Sequence, residues 1–319
     1  MQHHRGVRAS RLFRPLTVAI GLALLSATAC GRSSPGTPLA APPARSLPAS
    51  ASSHVAVIVM ENKEAADVVG GSSSPYVTGL AHHYATATRS YAIRHPSLPN
   101  YLALTSGSTQ GITTDCTDCH VAARSIVDQL DAASLTWKAY MEDLPAPCSR
   151  VPYAGRYAKK HDPFMYYDTV VRNSQRCRKV VPFDQLASDL RRGTLPRFSF
   201  ISPNLCNDTH DCDVATGDRF LAGLIPRLLR EIGPHGFVIL TWDEGTTDAG
   251  CCGEAHGGRI ATIVAGPEIR RHATRRSPVD HYGVLRTIEQ ALGLPLRGGA
   301  TRPRNGSLND LFVRPPHVG

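Results

Sequence analysis

Aromatic side chains are scarce in this 319-residue chain, at 6%, and no basic cluster is interleaved with them. Nucleic-acid binding, which needs clustered positive charge beside groups that read or stack on bases, is therefore not expected. A second C-x-x-C that would complete a zinc ribbon with Cys116 and Cys119 is also missing. The N-terminal apolar stretch, 16–29, is too short to span a bilayer, and no internal repeat is apparent. What remains is a chain with 42% apolar residues, long enough to bury one large core. Its formal charge of +9 falls to +5 without Arg5, Arg8, Arg11 and Arg14. That surplus suits anionic substrates or anionic lipid, and equally a solvated surface.

Those four arginines, the apolar stretch behind them and the small residues before Cys30 have the layout of an export signal over residues 1–30. The run LSATAC followed by Gly31 resembles a lipoprotein box, with Ala27 where leucine is more usual. Cys30 is accordingly expected to be lipidated and to attach the chain to a membrane, with ordinary secretion after Ala29 as the alternative. Either route gives a secreted or cell-surface protein. Residues 31–53 hold five prolines among Ser, Ala and Gly and no acidic residue, the composition of a flexible tether. One folded domain is expected over residues 54–319.

Eight cysteines remain: Cys116, Cys119, Cys148, Cys177, Cys206, Cys212, Cys251 and Cys252. An even number in an exported chain points to disulfides. The adjacent Cys251 and Cys252 are expected to reach separate partners rather than each other.

Short β-branched runs alternate with helical patterns, predicting an α/β fold with a mostly parallel central sheet and helices on both faces. VAVIVM at 55–60 and FVILTW at 237–242 read as strands buried on both sides, with further strands at 135–139, 197–202 and 260–265. Helices are expected at 76–84, 124–132, 183–191, 217–231 and 282–292. Residues 143–181 lack periodicity and read as a long surface excursion, a lid or substrate-facing loop.

Ligands in open parallel sheets bind beyond the carboxyl ends of the strands, and the residues there are polar. Glu61 and Asn62 follow the first run, Asp243 and Glu244 follow FVILTW, and Asn204 and the NDTHD segment with Asp208 follow RFSFIS. A single strand often ends in solvated polar groups, but three such ends at one edge bring carboxylates together, and their repulsion calls for a cation. Ser97 in HPSLPNY is the second feature. Pro99 suits the first residue of a helix through YLALTSG, so Ser97 stands where free amides and the helix end favour an anion. It is either an N-cap serine or a nucleophile, and without a G-x-S-x-G elbow a metal ion suits its activation better than a His/Asp pair.

Taken in order, ENKEAADVVG, HPSLPNYLALTSG, MEDLPAP, YAKKHDPF, SFISPNLCNDTHD, ILTWDEG and DHYGVLRTIEQALGLP resemble the bacterial phosphoesterase family of acid phosphatases and phospholipases C, within the alkaline phosphatase superfamily. The resemblance runs from about residue 54 to 310. It implies an alkaline-phosphatase-like fold and a phosphorylated-serine mechanism. Ser97 would be the nucleophile and a metal contact, Asn100 a phosphate contact, and Glu61, Asn62, Asp243 and Glu244 groups around a divalent metal. His210 would move the proton. Magnesium, calcium and zinc all remain open as the ion.

The chain departs from the family pattern in Cys206 and Cys212, which bracket NDTHD, and in a longer 245–258 segment with Cys251, Cys252 and His256. A bridge between these two loops is expected, with a local Cys206–Cys212 bridge as its main competitor; His256 and His281 are further candidates and His95 a weaker one. The substrate implied is a phosphate monoester, including a phosphoinositide. ENKEAADVVG lacks the Ser-Phe of the phospholipase branch, which places the diester reading second. A surface lipoprotein that only binds a phosphorylated ligand is the non-enzymatic alternative.

Overall fold

The computed structural model describes residues 53–316; the expected export signal, Cys30 and nearly all of the tether lie outside the described residues. The strands are β1 Val55–Met60, β2 Ala85–Tyr91, β3 Trp137–Met141, β4 Tyr153–Ala154, β5 Tyr157–Ala158, β6 Val180–Pro182, β7 Phe198–Ser202, β8 Phe237–Trp242, β9 Arg259–Ala265, β10 Ala273–Arg275 and β11 Val279–Asp280. β4 and β5 form a separate hairpin. The others build one sheet in the order β10-β2-β9-β8-β1-β7-β3-β6, with β11 also on β2. β9 runs antiparallel to both its neighbours and every other pairing in this sheet is parallel.

β1 shows why the sequence builds this architecture. All six residues are buried, and because side chains alternate across a strand, Val55, Val57 and Val59 enter one core while Ala56, Ile58 and Met60 enter the other. Helices Ser97–Ser106, Ile126–Ala132 and His281–Ala291 cover the first face. Helices Pro75–His83, Asp184–Arg192 and Val214–Glu231 cover the second. Full burial is worth about 1.5–3 kcal/mol for each Val, Ile or Met side chain, which is why a uniformly apolar run becomes a central strand. Polar residues then fix the helix starts. Asp213 accepts from Thr216 N and Asp280 from Gly283 N, and Ser125 with Asp128 closes a capping box.

Three expectations need correction. The strand expected at 135–139 lies at Trp137–Met141. The helix after HPSLPNY starts at Ser97, two residues before Pro99, because a proline anywhere in the first turn gives up only an amide that has no helical partner. Residues 143–181 are a surface excursion only in their first part, where 150–153, 155 and 156 are exposed: Phe164, Met165, Tyr166, Tyr167 and Val170 are buried in the core facing the Ser97 helix. Short 3-10 turns and bridges carry them inward, and these have no periodicity to detect.

The eight cysteines form four disulfides, Cys116–Cys119, Cys148–Cys177, Cys206–Cys212 and Cys251–Cys252. The expected bridge between the NDTHD loop and the 245–258 loop is therefore replaced by one local bridge in each. Cys252 takes a left-handed conformation (φ 62°) in the tight turn that joins it to its neighbour. The long loop is held by other means: Glu64 accepts from the amides of Thr246, Thr247 and Arg259, and Glu254 meets Arg302 and Arg304.

Candidate active site

The in-register pairing of β1 with β8, ending at Met60 opposite Trp242, sets Glu61 and Asp243 side by side at the carboxyl edge of the sheet. Asn62 then turns the chain with a left-handed backbone (φ 55°), a conformation asparagine tolerates. Its amide donates to Asp243 Oδ1 at 3.2 Å. The loop after β7 returns to the same place: Thr209 Oγ1 donates to Glu61 O, and Glu61 N to Asp208 O. Three carboxylates, Glu61, Asp208 and Asp243, are thereby buried together.

Ser97 stands in the first turn of the helix over this cluster, and its hydroxyl donates to Glu61 Oε2 at 3.0 Å. The other Glu61 oxygen receives the Tyr101 hydroxyl from one turn on and faces His161 Nε2 at 3.2 Å. His161 Nδ1 in turn faces Asp208 Oδ2 at 3.3 Å, and its ring stacks on Tyr101. His210 receives orientation from two sides: Asp208 Oδ1 accepts from its amide and Asp211 Oδ1 lies 2.6 Å from Nδ1. Lys160 Nζ bridges His210 Nε2 at 3.2 Å and Asp115 Oδ2 at 3.1 Å. Asp115 also accepts from Leu98 N at the helix start. Glu244 is buried against His95, Nδ1 to Oε2 2.5 Å.

The remaining expected residues sit elsewhere. Both ends of the Asn100 side chain are engaged by the 93–96 loop: it accepts from Ile93 N and Arg94 N and donates to Arg94 O and Pro96 O. It holds the loop that presents Ser97. His281 lies fully buried behind Asp243 and donates from Nε2 to the Asp243 carbonyl at 2.6 Å; burial lowers its pKa to about 4, so it stays neutral. His256 is exposed, tied to Ile93 O only through its backbone amide. Lys160, His161, Tyr101 and Asp115 were not among the expected residues. Lys160 and His161 lie in YAKKHDPF, just after the two-residue strand β5, which is too short to leave a periodic apolar signal.

The cluster's electrostatics favour a cation. Burial, with neighbouring carboxylates adding to it, raises Glu61 well above the usual range and Asp243 to about 8. Asp208 is raised as well, by burial first, and Glu244 goes to about 7, chiefly by burial and then by Asp115. Asp208 Oδ2, Asp243 Oδ2 and His161 Nε2 are buried with no hydrogen-bond partner. Orphaned oxygen and imidazole atoms among repelling carboxylates are a donor set that fits a divalent cation. Donor atoms of Glu61, His161 and His210 lie within 4.8 Å of one another. A cavity of about 720 Å³ opens at the opposite edge of the sheet, lined by Thr136, Lys138, Lys179 and Thr194 among others, with no carboxylate in its lining.

A pH test follows. Acids held above their unfolded pKa bind protons more tightly in the folded state, so stability is lost as pH rises toward the folded value. Buried His161 and His281, both lowered by burial, act in the opposite sense only below about pH 6.5. Between pH 6.5 and 8, chelated protein should therefore lose about 1.4 kcal/mol per pH unit for each retained proton, read by denaturant unfolding. Added divalent cation should flatten that slope except for the parts due to Glu289, raised to about 8, and to Asp162 and Asp280, each raised to about 7, all chiefly by burial and none of them in the cluster. A slope unchanged by cation would count against the cluster as its binding place.

Comparison with known proteins agrees with this architecture. A phosphatidylinositol-3-phosphatase of Mycobacterium tuberculosis is 33% identical over 304 residues, covering 93% of this chain and 96% of that protein. An acid phosphatase of Aspergillus fumigatus is 30% identical over 69% of this chain, which spans 51% of its length. Among solved structures, an alkaline phosphatase superfamily protein from Vibrio parahaemolyticus superposes with a TM-score of 0.55 at 14% identity, covering 84% of this chain and 73% of that one. Murine ectonucleotide pyrophosphatase/phosphodiesterase 5 does so at 0.53 and 13%, covering 81% and 100%; both likenesses concern the fold. The model of the phosphoesterase family matches residues 71–295, and with the fold and the sequence relatives in agreement, the chain belongs to that family.

Proposed function

We propose that this phosphoesterase is an exported hydrolase of phosphate monoesters that works through a phosphoserine on Ser97, with a divalent cation held by Glu61 and Asp243 together with groups from Asp208 and His161. The observation that carries the reading is the Ser97 hydroxyl, bonded to Glu61 at the start of a helix and set over three buried carboxylates. When bound, the cation supplies charge that lowers the hydroxyl's pKa and offsets that of the phosphate. Ser97 Oγ forms the bond to phosphorus as the bond to the leaving oxygen breaks, and Glu61 Oε2 lies where the hydroxyl proton departs. Lys160 brings positive charge beside His210, where negative charge collects on the transferring group. With Asp211 holding Nδ1–H, His210 Nε2 is the acceptor for the proton of the water that later attacks the phosphoserine. Protonated in the preceding half-reaction, the same nitrogen serves the leaving alkoxide.

A phosphoinositide is the substrate we favour, supported by the similarity to the mycobacterial phosphatidylinositol-3-phosphatase over nearly both lengths. The absence of Ser-Phe after Glu61 and Asn62 supports monoesters over the diesters of a phospholipase C. Export, whether as a lipoprotein through Cys30 or by plain secretion, rests on the 1–30 pattern alone. The deciding experiment assays metal-replete protein on p-nitrophenyl phosphate, bis(p-nitrophenyl) phosphate and phosphatidylinositol 3-phosphate. Turnover of the first and third above the second is expected; a preference for the diester would overturn the monoesterase reading, and no turnover of any would favour a binding protein.

A further inference from the structure

Among the described residues, three large apolar side chains are exposed: Val151 at 36%, Tyr153 at 58% and Val313. Two of them fall within three residues, on the approach to and in the first strand of the β4–β5 hairpin, with exposed Pro152 between them. The second strand of the same hairpin, Tyr157 and Ala158, is buried, so the hairpin is anchored in the protein while its first arm stands exposed. Exposed Arg150 and Arg156 flank the apolar tip. From 144 to 161 the chain contains no acidic residue, but has Arg150, Arg156, Lys159 and Lys160. The nearest acid before it, Asp143, is engaged by Arg156 N and Asn204 Nδ2.

The hairpin is fastened to the rim of the active site from two directions. Lys159 N donates to Pro152 O at 2.9 Å, one residue before the Lys160 that reaches His210. Leu205 N donates to Arg156 O at 3.0 Å, and Arg156 Nη1 lies 3.9 Å from Cys212 Sγ, so the hairpin also holds the loop that carries His210. An apolar, aromatic tip between two arginines, with no carboxylate of its own and the single Asp143 carboxylate beside its turn, matches the boundary of an anionic bilayer: tyrosine sits at headgroup depth and each arginine gains from the negative surface.

We propose that residues 150–156 dock on an anionic lipid surface and set the catalytic edge against it, so that a phosphorylated headgroup is met where it lies. The inference rests on the phosphoinositide reading above, but its test is separable from it. The full chain carrying Cys30→Ser, so that no acyl group contributes, is sedimented with phosphatidylcholine vesicles with and without phosphatidylserine. Binding is expected only with phosphatidylserine, and should weaken with salt. Neutralising either arginine as Arg150→Gln or Arg156→Gln should weaken it about fivefold, and Tyr153→Asp should abolish it. Hydrolysis of p-nitrophenyl phosphate should stay at the parent level in Arg150→Gln and Tyr153→Asp, while hydrolysis of vesicle-borne phosphatidylinositol 3-phosphate falls. Loss of p-nitrophenyl phosphate turnover in the parent chain would count against the monoesterase reading. Equal sedimentation of parent and Tyr153→Asp, or no sedimentation of the parent with phosphatidylserine, would overturn the docking surface.

Discussion

Ser97→Ala should lower kcat by about 10⁴-fold or more, the scale on which enzymes lose turnover when a covalent nucleophile is removed. The structure gives the change little else to do. The Ser97 hydroxyl donates to Glu61 and lies within reach of the Glu244 carboxylate, and losing the donated bond costs about 1 kcal/mol. Alanine suits a first helical turn, and Tyr101 remains on the other Glu61 oxygen. Circular dichroism and the unfolding midpoint should therefore stay close to the parent's, and phosphate or vanadate should still bind. Substantial turnover by the metal-replete variant would rule Ser97 out as nucleophile.

Asp243→Asn should cost activity and cation affinity together, because one of few buried negative ligands becomes neutral while its shape is kept. The amide oxygen can still accept from Asn62 N, and the His281 contact survives because it is made to the Asp243 carbonyl. Without cation, however, the variant should be more stable than the parent near pH 8, since one of three mutually repelling buried carboxylates is gone. Cation should raise the unfolding temperature of the parent and much less that of Asp243→Asn. Calorimetric titration and thermal unfolding, each with and without chelator, read both effects. Full activity in exhaustively chelated parent protein would make the cluster a structural one.

How much of this was legible in the sequence depended on whether a residue lies on a regular element. β1 and β8 coincide with VAVIVM and FVILTW because a strand buried on both faces needs an unbroken apolar run, so Glu61, Asn62, Asp243 and Glu244 could be placed at one edge by inspection. β2, by contrast, reads ATATRSY with two exposed residues and gave no such signal. Lys160 and His161 arrive on a 3-10 turn whose burial is set by Phe164 and its neighbours, an arrangement that depends on distant partners and leaves no period in the chain. Cysteine spacing is likewise silent on connectivity, and the inference from adjacency failed at Cys251 and Cys252. Asn100 lies one turn from Ser97 in sequence, which says nothing of its amide being spent on the 93–96 loop.

The central claim, a covalent phosphate on Ser97, has a direct measurement. Metal-replete protein is mixed with excess phosphate monoester, quenched in acid during turnover, digested and examined by mass spectrometry. The account predicts a single phosphorylated peptide, the one containing Ser97, which is absent without substrate and absent in Ser97→Ala. Phosphate found on another residue, or none trapped at any time or pH while the enzyme turns over, would contradict it.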